Sequence, residues 1–180
     1  NKDYTITLLV QEISPEHKKS LEDMSTDNIH VNIFHISDDM VNRIHKGKEN
    51  YLRAQFFTMS IFYRLFIPDL FPQYDKAVYL DADTIICDDI ANLYDTEIGE
   101  NMFASCPDLS IRYMPLLQKY IKECQGILPA EKYINNGVIV FNMKAFRDKH
   151  FVDKFYYLMD KYHFDNVDPD QAYMNEICED

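Results

Sequence analysis

The chain has 180 residues, enough for one domain that buries roughly 70% of its unfolded surface. Apolar residues make up 47% of it and aromatics 14%, with 13 Tyr, 12 Phe and no Trp, a profile that excludes a disordered chain. A formal charge of -12 excludes nucleic acid as a natural partner, and only 4 glycines leave no Gly-rich phosphate cradle.

In chain order, Tyr4 to Val10 reads as a strand, rich in β-branched and apolar residues. Ser14-Pro15-Glu16 supplies an N-cap, a first-turn proline and an acidic residue for a helix running to about Met24. Val31 to Ile36 is a second strand, followed by a turn at Ser37-Asp38-Asp39. Tyr51 to Phe66 has a long apolar helical pattern that is expected to end before Pro68. Lys76 to Leu80, Asn101 to Cys106 and Gly137 to Asn142 read as further strands, with Tyr113 to Glu123 helical between the last two. Lys149 to Tyr162 is a helix with an aromatic face, which assigns Phe155, Tyr156, Tyr157 and Tyr162 to the core, and another helix starts near Pro169. Strands alternating with helices predict one α/β domain over residues 1 to 180, a mostly parallel sheet with helices on both faces. Ligands of such sheets sit beyond the carboxyl ends of the strands.

The acidity points to a cation. It disfavours an anionic membrane surface, yet an acidic protein can bind a phosphorylated small molecule when a divalent metal bridges the two sets of charge. Asp81 and Asp83 stand directly after the strand Ala77-Val78-Tyr79-Leu80. In extended chain, side chains at i and i+2 leave the same face, with Cα atoms roughly 6.6 Å apart. Two carboxylates so placed can share one hard cation, and without one they repel. A solvated acidic loop at a strand end is the plainer alternative. The six histidines show no paired metal spacing. The four cysteines form no Cys-x-x-Cys pair, which favours a reduced, cytoplasmic compartment. No apolar run approaches the roughly 20 residues of a membrane span.

Lys76-Ala-Val-Tyr-Leu-Asp-Ala-Asp-Thr-Ile, then Tyr133-Ile-Asn-Asn-Gly-Val-Ile-Val-Phe-Asn-Met, then Asp170-Gln171 together resemble glycosyltransferase family 8, in its motif order and over nearly the whole chain. The resemblance implies a GT-A fold and transfer of a hexose from a UDP-sugar, with retention, to a saccharide acceptor such as a lipooligosaccharide. It implies Mn2+ or Mg2+ held by Asp81 and Asp83. By position it places Arg64, Asp81, Ala82, Asp83, Asp108, Asn135 and Asn136 against the donor, and Asp170 and Gln171 beneath the anomeric carbon. Plainer roles stand beside these. Arg64 could pair with a carboxylate near its helix end, Asn135-Asn136-Gly137 could be a turn with positive φ, and Asp108 could punctuate a loop. Asp168-Pro169-Asp170-Gln171 reads as a capping box.

Family members also carry a uridine-gripping Ala-Ala-Asp-Asp-x-x-Tyr loop before these motifs and a His-Phe-x-Gly-x-x-Lys-Pro-Trp segment after them, whose His is a third metal ligand. Neither has a counterpart here, so the 180 residues are expected to be the central part of a longer protein, weak or inactive alone. Any peripheral attachment to the inner face of a membrane would come through segments outside this chain. The rival readings are a haloacid-dehalogenase-type phosphatase, which also has Asp-x-Asp after a strand, and a non-catalytic sugar-binding or scaffold domain.

Overall fold

The computed structural model describes residues 2–45, 59–126, 132–162 and 169–178. The chain forms two compact units, one of residues 1–46 and 58–63, the other of residues 47–57 and 64–180.

In the first unit β1 (Tyr4–Val10) and β2 (Ile29–His35) pair in parallel, in register from Tyr4 opposite Ile29 to Val10 opposite His35. The crossover between them is α1 (Pro15–Glu22), started as the sequence predicts: Ser14 Oγ accepts from the His17 N–H at 3.2 Å, and Pro15 gives up only a donor that a first turn would leave unused. Ser37-Asp38-Asp39 is not a turn but the opening of α2 (Asp38–His45), where Ser37 accepts from the Met40 N–H and the two aspartates lie in the first turn. The same residue types close turns and cap helices, and here the cap prevails.

Of the expected helix from Tyr51 to Phe66, residues 51–58 lie outside the described residues, and Met59–Phe66 is a 3-10 helix. Pro68 does not stop the helical path. It sits in the first turn of a new short helix, α3 (Ile67–Leu70), where a missing N–H costs nothing.

The second unit is built on three strands in the order β3 (Lys76–Leu80), β5 (Ile134–Asn142), β4 (Phe103–Pro107), with both neighbours antiparallel to β5. The parallel expectation therefore holds for β1 and β2 and not for this sheet. The reason lies in the connection. α5 (Leu109–Tyr113) and α6 (Pro115–Tyr120), with a π turn at Ile121–Gln125, begin where β4 ends. β5 then enters opposite that same end, Ile134 facing Pro107, so the excursion stays at one end instead of crossing a face. α4 (Ile90–Tyr94) follows β3, and Asp89 caps it by accepting from the Ala91 N–H at 2.9 Å.

After β5 come α7 (Met143–Asp148), α8 (Phe151–Tyr162) and α9 (Pro169–Ile177). His150, at φ 54, separates α7 from α8, so the helix expected from Lys149 starts two residues later. Aromatic rings weld this layer to the sheet: Phe141 to Phe146 at 5.3 Å, Phe146 to Phe151 at 4.0 Å, and Phe155 to Tyr173 at 4.9 Å. Phe155 is buried as expected, whereas Tyr157 is exposed, and the side chain of Tyr162 is outside the described residues.

The topology positions the chemistry. β3 and β4 run the same way and β5 opposes them, so the end of β3 (Asp81), the end of β4 (Asp108) and the start of β5 (Asn135, Asn136) share one end of the sheet. There the β4–β5 register slips: Ser105 faces Ile139 and Pro107 faces Ile134, two steps against five, leaving three extra residues in β5. That bulge carries Asn135, Asn136 and Gly137.

Candidate active site

Arg64, the sixth residue of the 3-10 helix, is the centre of the site. Its Nη1 donates to the Asn136 carbonyl at 2.6 Å and lies 3.0 Å from Asp81 Oδ1, while its Nε lies 3.2 Å from Asp170 Oδ2. One planar guanidinium thus ties β3, the β5 bulge and α9 together, a geometry that a lysine could not reproduce. The plainer reading of Arg64, pairing with a carboxylate, is realised twice over. The guanidinium also stacks 4.8 Å from the centre of the Tyr79 ring.

Asp81 is fixed on one oxygen. Besides Arg64, Oδ1 accepts the Tyr79 hydroxyl at 2.7 Å, and the Asp81 N–H continues the sheet by donating to the Gly137 carbonyl at 2.8 Å. The Tyr79 hydroxyl stays protonated because burial pushes it well above its ordinary value; the nearby Asp81 carboxylate adds to this and Arg64 opposes it. Asp81 Oδ2 faces the β5 backbone, where a Cβ on Gly137 would come within 3.0 Å of it and within 3.0 Å of Asn135 Oδ1. Gly137 is therefore needed for close approach and not for a turn, since its φ is not positive.

Ala82 and Asp83 are exposed in the turn after β3, and the Asp83 carboxylate has no hydrogen bond or ion pair to any described residue. Thr84 closes the turn by donating its hydroxyl to the Asp81 carbonyl at 2.8 Å.

Asn136 and Gln171 cross-link the bulge to α9. The Asn136 N–H donates to Gln171 Oε1 at 3.2 Å, and Asn136 Nδ2 donates to Asp170 Oδ2 at 3.2 Å. Gln171 Nε2 in turn donates to Asp108 Oδ2 at 3.0 Å. Gln171 thus directs both amide atoms out of its own helix, unlike a capping-box glutamine; Asp168 lies outside the described residues. Asp108 does two jobs, since its Oδ1 caps α5 through the N–H groups of Ser110 and Ile111 at 2.9 and 3.1 Å. Asn135 is exposed, and its Oδ1 accepts the Gly137 N–H at 2.8 Å, which stiffens the bulge. Asn136 is 2% exposed, and its Oδ1 has no hydrogen-bond partner among the described residues. A buried acceptor without a donor costs roughly 1–3 kcal/mol, so it marks where a ligand donor would be welcome.

The structure thus links Arg64, Asp81, Asp108, Asn136, Asp170 and Gln171 in one network and leaves Ala82, Asp83 and the Asn135 side chain outside it. Sequence reading missed Tyr79, Gly137 as a spacing residue, and Asn175, which lies one turn after Gln171. Against one guanidinium stand the carboxylates of Asp81, Asp108 and Asp170, with Asp83 beside them. Hard oxygen donors in such excess suit Mn2+ or Mg2+. Among the described residues no group of three or more His, Cys, Asp or Glu is placed to hold a metal ion. No described helix is long and apolar enough to cross a membrane.

The geometry can be set beside known proteins. General stress protein A of Bacillus subtilis strain 168 is 22% identical over 165 residues, covering 90% of this chain and 51% of its own length. The glycosyltransferase GlyE of Streptococcus pneumoniae serotype 4 is 30% identical over 119 residues, 66% of this chain and 25% of GlyE. The galactosyltransferase LgtC, solved in complex with donor and acceptor sugar analogs, superposes with a TM-score of 0.66 at 20% identity, covering 98% of this chain and 70% of LgtC. This likeness establishes the fold as GT-A, as the motifs led one to expect. The chain spans about half of General stress protein A and less of GlyE. The family model for glycosyl transferase family 8 matches residues 1–180, and the chain belongs to that family.

Proposed function

We propose that the protein containing this chain is a retaining glycosyltransferase that moves a hexose from a UDP-sugar to a saccharide acceptor, with a divalent cation held by Asp81 and Asp83. The observation that carries the reading is the division of labour in Asp81: Arg64 and Tyr79 hold Oδ1, which leaves Oδ2 and the unpaired Asp83 carboxylate for a cation. Mn2+ or Mg2+ bound there would act as a Lewis acid for the charge that builds on the departing diphosphate. Membership of the family removes the phosphatase alternative. LgtC, a structural relative, has been solved both with donor and acceptor sugar analogs and as an active-site glutamine-to-glutamate mutant, which fits a donor site here and a working role for a glutamine.

Asp170, Gln171 and Asn136 would face the sugar. The Asp170 carboxylate is buried, with Oδ2 already engaged by the Arg64 guanidinium and the Asn136 amide, so the lone pairs of that oxygen are poorly disposed to attack carbon. This favours attack by the acceptor on the face the diphosphate leaves, with the departing phosphate taking the acceptor proton. Gln171 would then orient the sugar through its amide, anchored by Asp108.

The test is hydrolysis of UDP-glucose and UDP-galactose by the full-length protein, with and without Mn2+, beside Asp83→Asn. Turnover should require the metal and fall at least a hundredfold in the variant. Equal, metal-independent turnover by both proteins would sink the assignment. Trapping a sugar on Asp170 by mass spectrometry would overturn the one-step mechanism.

A further inference from the structure

We propose that Asn175 is a positioning residue for Gln171: it stands in for a missing strand, and so fixes the height of α9 against the β5 bulge. The inference rests on the sugar-facing role given to Gln171 above. Ile134 opens β5 opposite Pro107, and the Asp108 N–H donates to the Tyr133 carbonyl at 2.8 Å beside that pair. In an antiparallel ladder this makes Ile134 and Pro107 a non-hydrogen-bonded pair, so the Ile134 N–H and C=O point away from β4. On that other side the partner would be β3, but β3 ends at Leu80, opposite Val138. Both backbone groups of Ile134 would be left without a strand.

The carboxamide of Asn175 meets both. Its Oδ1 accepts the Ile134 N–H at 2.9 Å, and its Nδ2 donates to the Ile134 carbonyl at 3.2 Å, the two-way exchange that a strand residue would make. Nδ2 also donates to the Gln171 carbonyl one turn back at 2.8 Å. A closed ring results. Asn175 joins Ile134 to the Gln171 backbone, and two residues along β5 the Asn136 N–H joins the Gln171 side chain. Gln171 is thereby held at its main chain and at its amide by two points on one strand. Asn175 is itself buried, so water cannot substitute for it. An alanine there would leave both backbone groups of Ile134 without this partner, remove the tie to the Gln171 carbonyl, and allow α9 to slide by the fraction of an ångström that positioning cannot tolerate.

The experiment compares full-length wild type, Asn175→Ala and Asn175→Asp in hydrolysis of UDP-glucose and UDP-galactose with Mn2+, at a temperature well below every Tm. Asn175→Asp keeps the size but loses the Nδ2 donor. Both variants should lose at least tenfold in kcat with the donor KM changed less than threefold. Phe146→Leu, a core substitution away from the site, supplies the control: with a comparable loss of Tm it should keep kcat within twofold. A second readout needs no turnover. The side-chain amide NMR signals of Gln171, identified by their loss in Gln171→Glu, should be distinct in wild type and move toward free-glutamine positions in Asn175→Ala. Unchanged Gln171 signals, or a kcat loss no larger than that of Phe146→Leu, would overturn the proposal. If wild type itself turns over no donor, the proposed function fails and the amide signals still decide the role of Asn175.

Discussion

Arg64 Nε lies 3.2 Å from Asp170 Oδ2, and both side chains are only 9% exposed. Each charge depends on the other for much of the compensation of its desolvation: Arg64 is met by Asp170, Asp81 and the Asn136 carbonyl, and Asp170 by Arg64 and the Asn136 amide. Removing Arg64 should therefore cost far more than its hydrogen bonds suggest. We expect Arg64→Met to lose roughly 3–5 kcal/mol in urea unfolding, since it strands two carboxylates, and Asp170→Asn to lose less, since Arg64 keeps Asp81. Equal losses for the two variants would contradict this asymmetry.

Gly137→Ala tests the close approach of the bulge to Asp81. The added methyl would meet Asp81 Oδ2 and Asn135 Oδ1, each at 3.0 Å, and Asp81 cannot swing away while Arg64 and Tyr79 hold its other oxygen. The far-ultraviolet circular dichroism should be unchanged. Donor hydrolysis should fall at least tenfold, and more Mn2+ should be needed for half-maximal rate.

Tyr79→Phe removes the hydroxyl that donates to Asp81 Oδ1 while keeping the ring under Arg64. The expected cost is about 1.5–3 kcal/mol in unfolding, the value of a hydrogen bond to a charged group. Because the phenol is held well above its ordinary value of 10.0, its contribution is present below that pH and is lost as pH rises beyond it. Wild-type stability should drop above pH 10, and the drop should be smaller in Tyr79→Phe when thermal unfolding is followed between pH 8 and pH 11.

Cys178, just past the end of α9, is pushed up to about 12 from 9.0 by burial, with Lys154 and Lys149 opposing. At pH 8 its thiolate, the form that reacts, is therefore scarce. Cys87 and Cys106 are exposed. Iodoacetamide at pH 8 should modify those two first and reach Cys178 only after denaturant is added, as read by peptide mass spectrometry.

Much of this was legible in the residues, and the failures have identifiable causes. Tyr4–Val10 and Lys76–Leu80 were readable to the residue because β-branched and apolar runs with clear stops admit one interpretation. Asp81 stood out as a candidate because two carboxylates after an apolar strand repel each other without a cation, and the structure sets it in the network around Arg64. The antiparallel course of β5 was not legible: helix–strand alternation does not reveal whether a connection crosses the sheet or stays at its end. That Arg64 pairs with a carboxylate was readable, but which ones was not, since Asp81 and Asp170 are brought to it only by the fold. Asn175 was hidden for the same reason. Its partner is the backbone of Ile134, and no side-chain pattern records a main-chain vacancy.

The three surplus residues of β5 are pinned at both ends, by the ladders that resume at Val138 and by the Asn175 clip at Ile134. Between those ends they are tied again, by Arg64 at the Asn136 carbonyl and by Gln171 at the Asn136 N–H, so the stored length cannot escape by sliding along the sheet. A deletion within Asn135–Gly137 would therefore not be absorbed as loop deletions usually are; it would pull the strand taut and retract the Asn136 amide from Gln171.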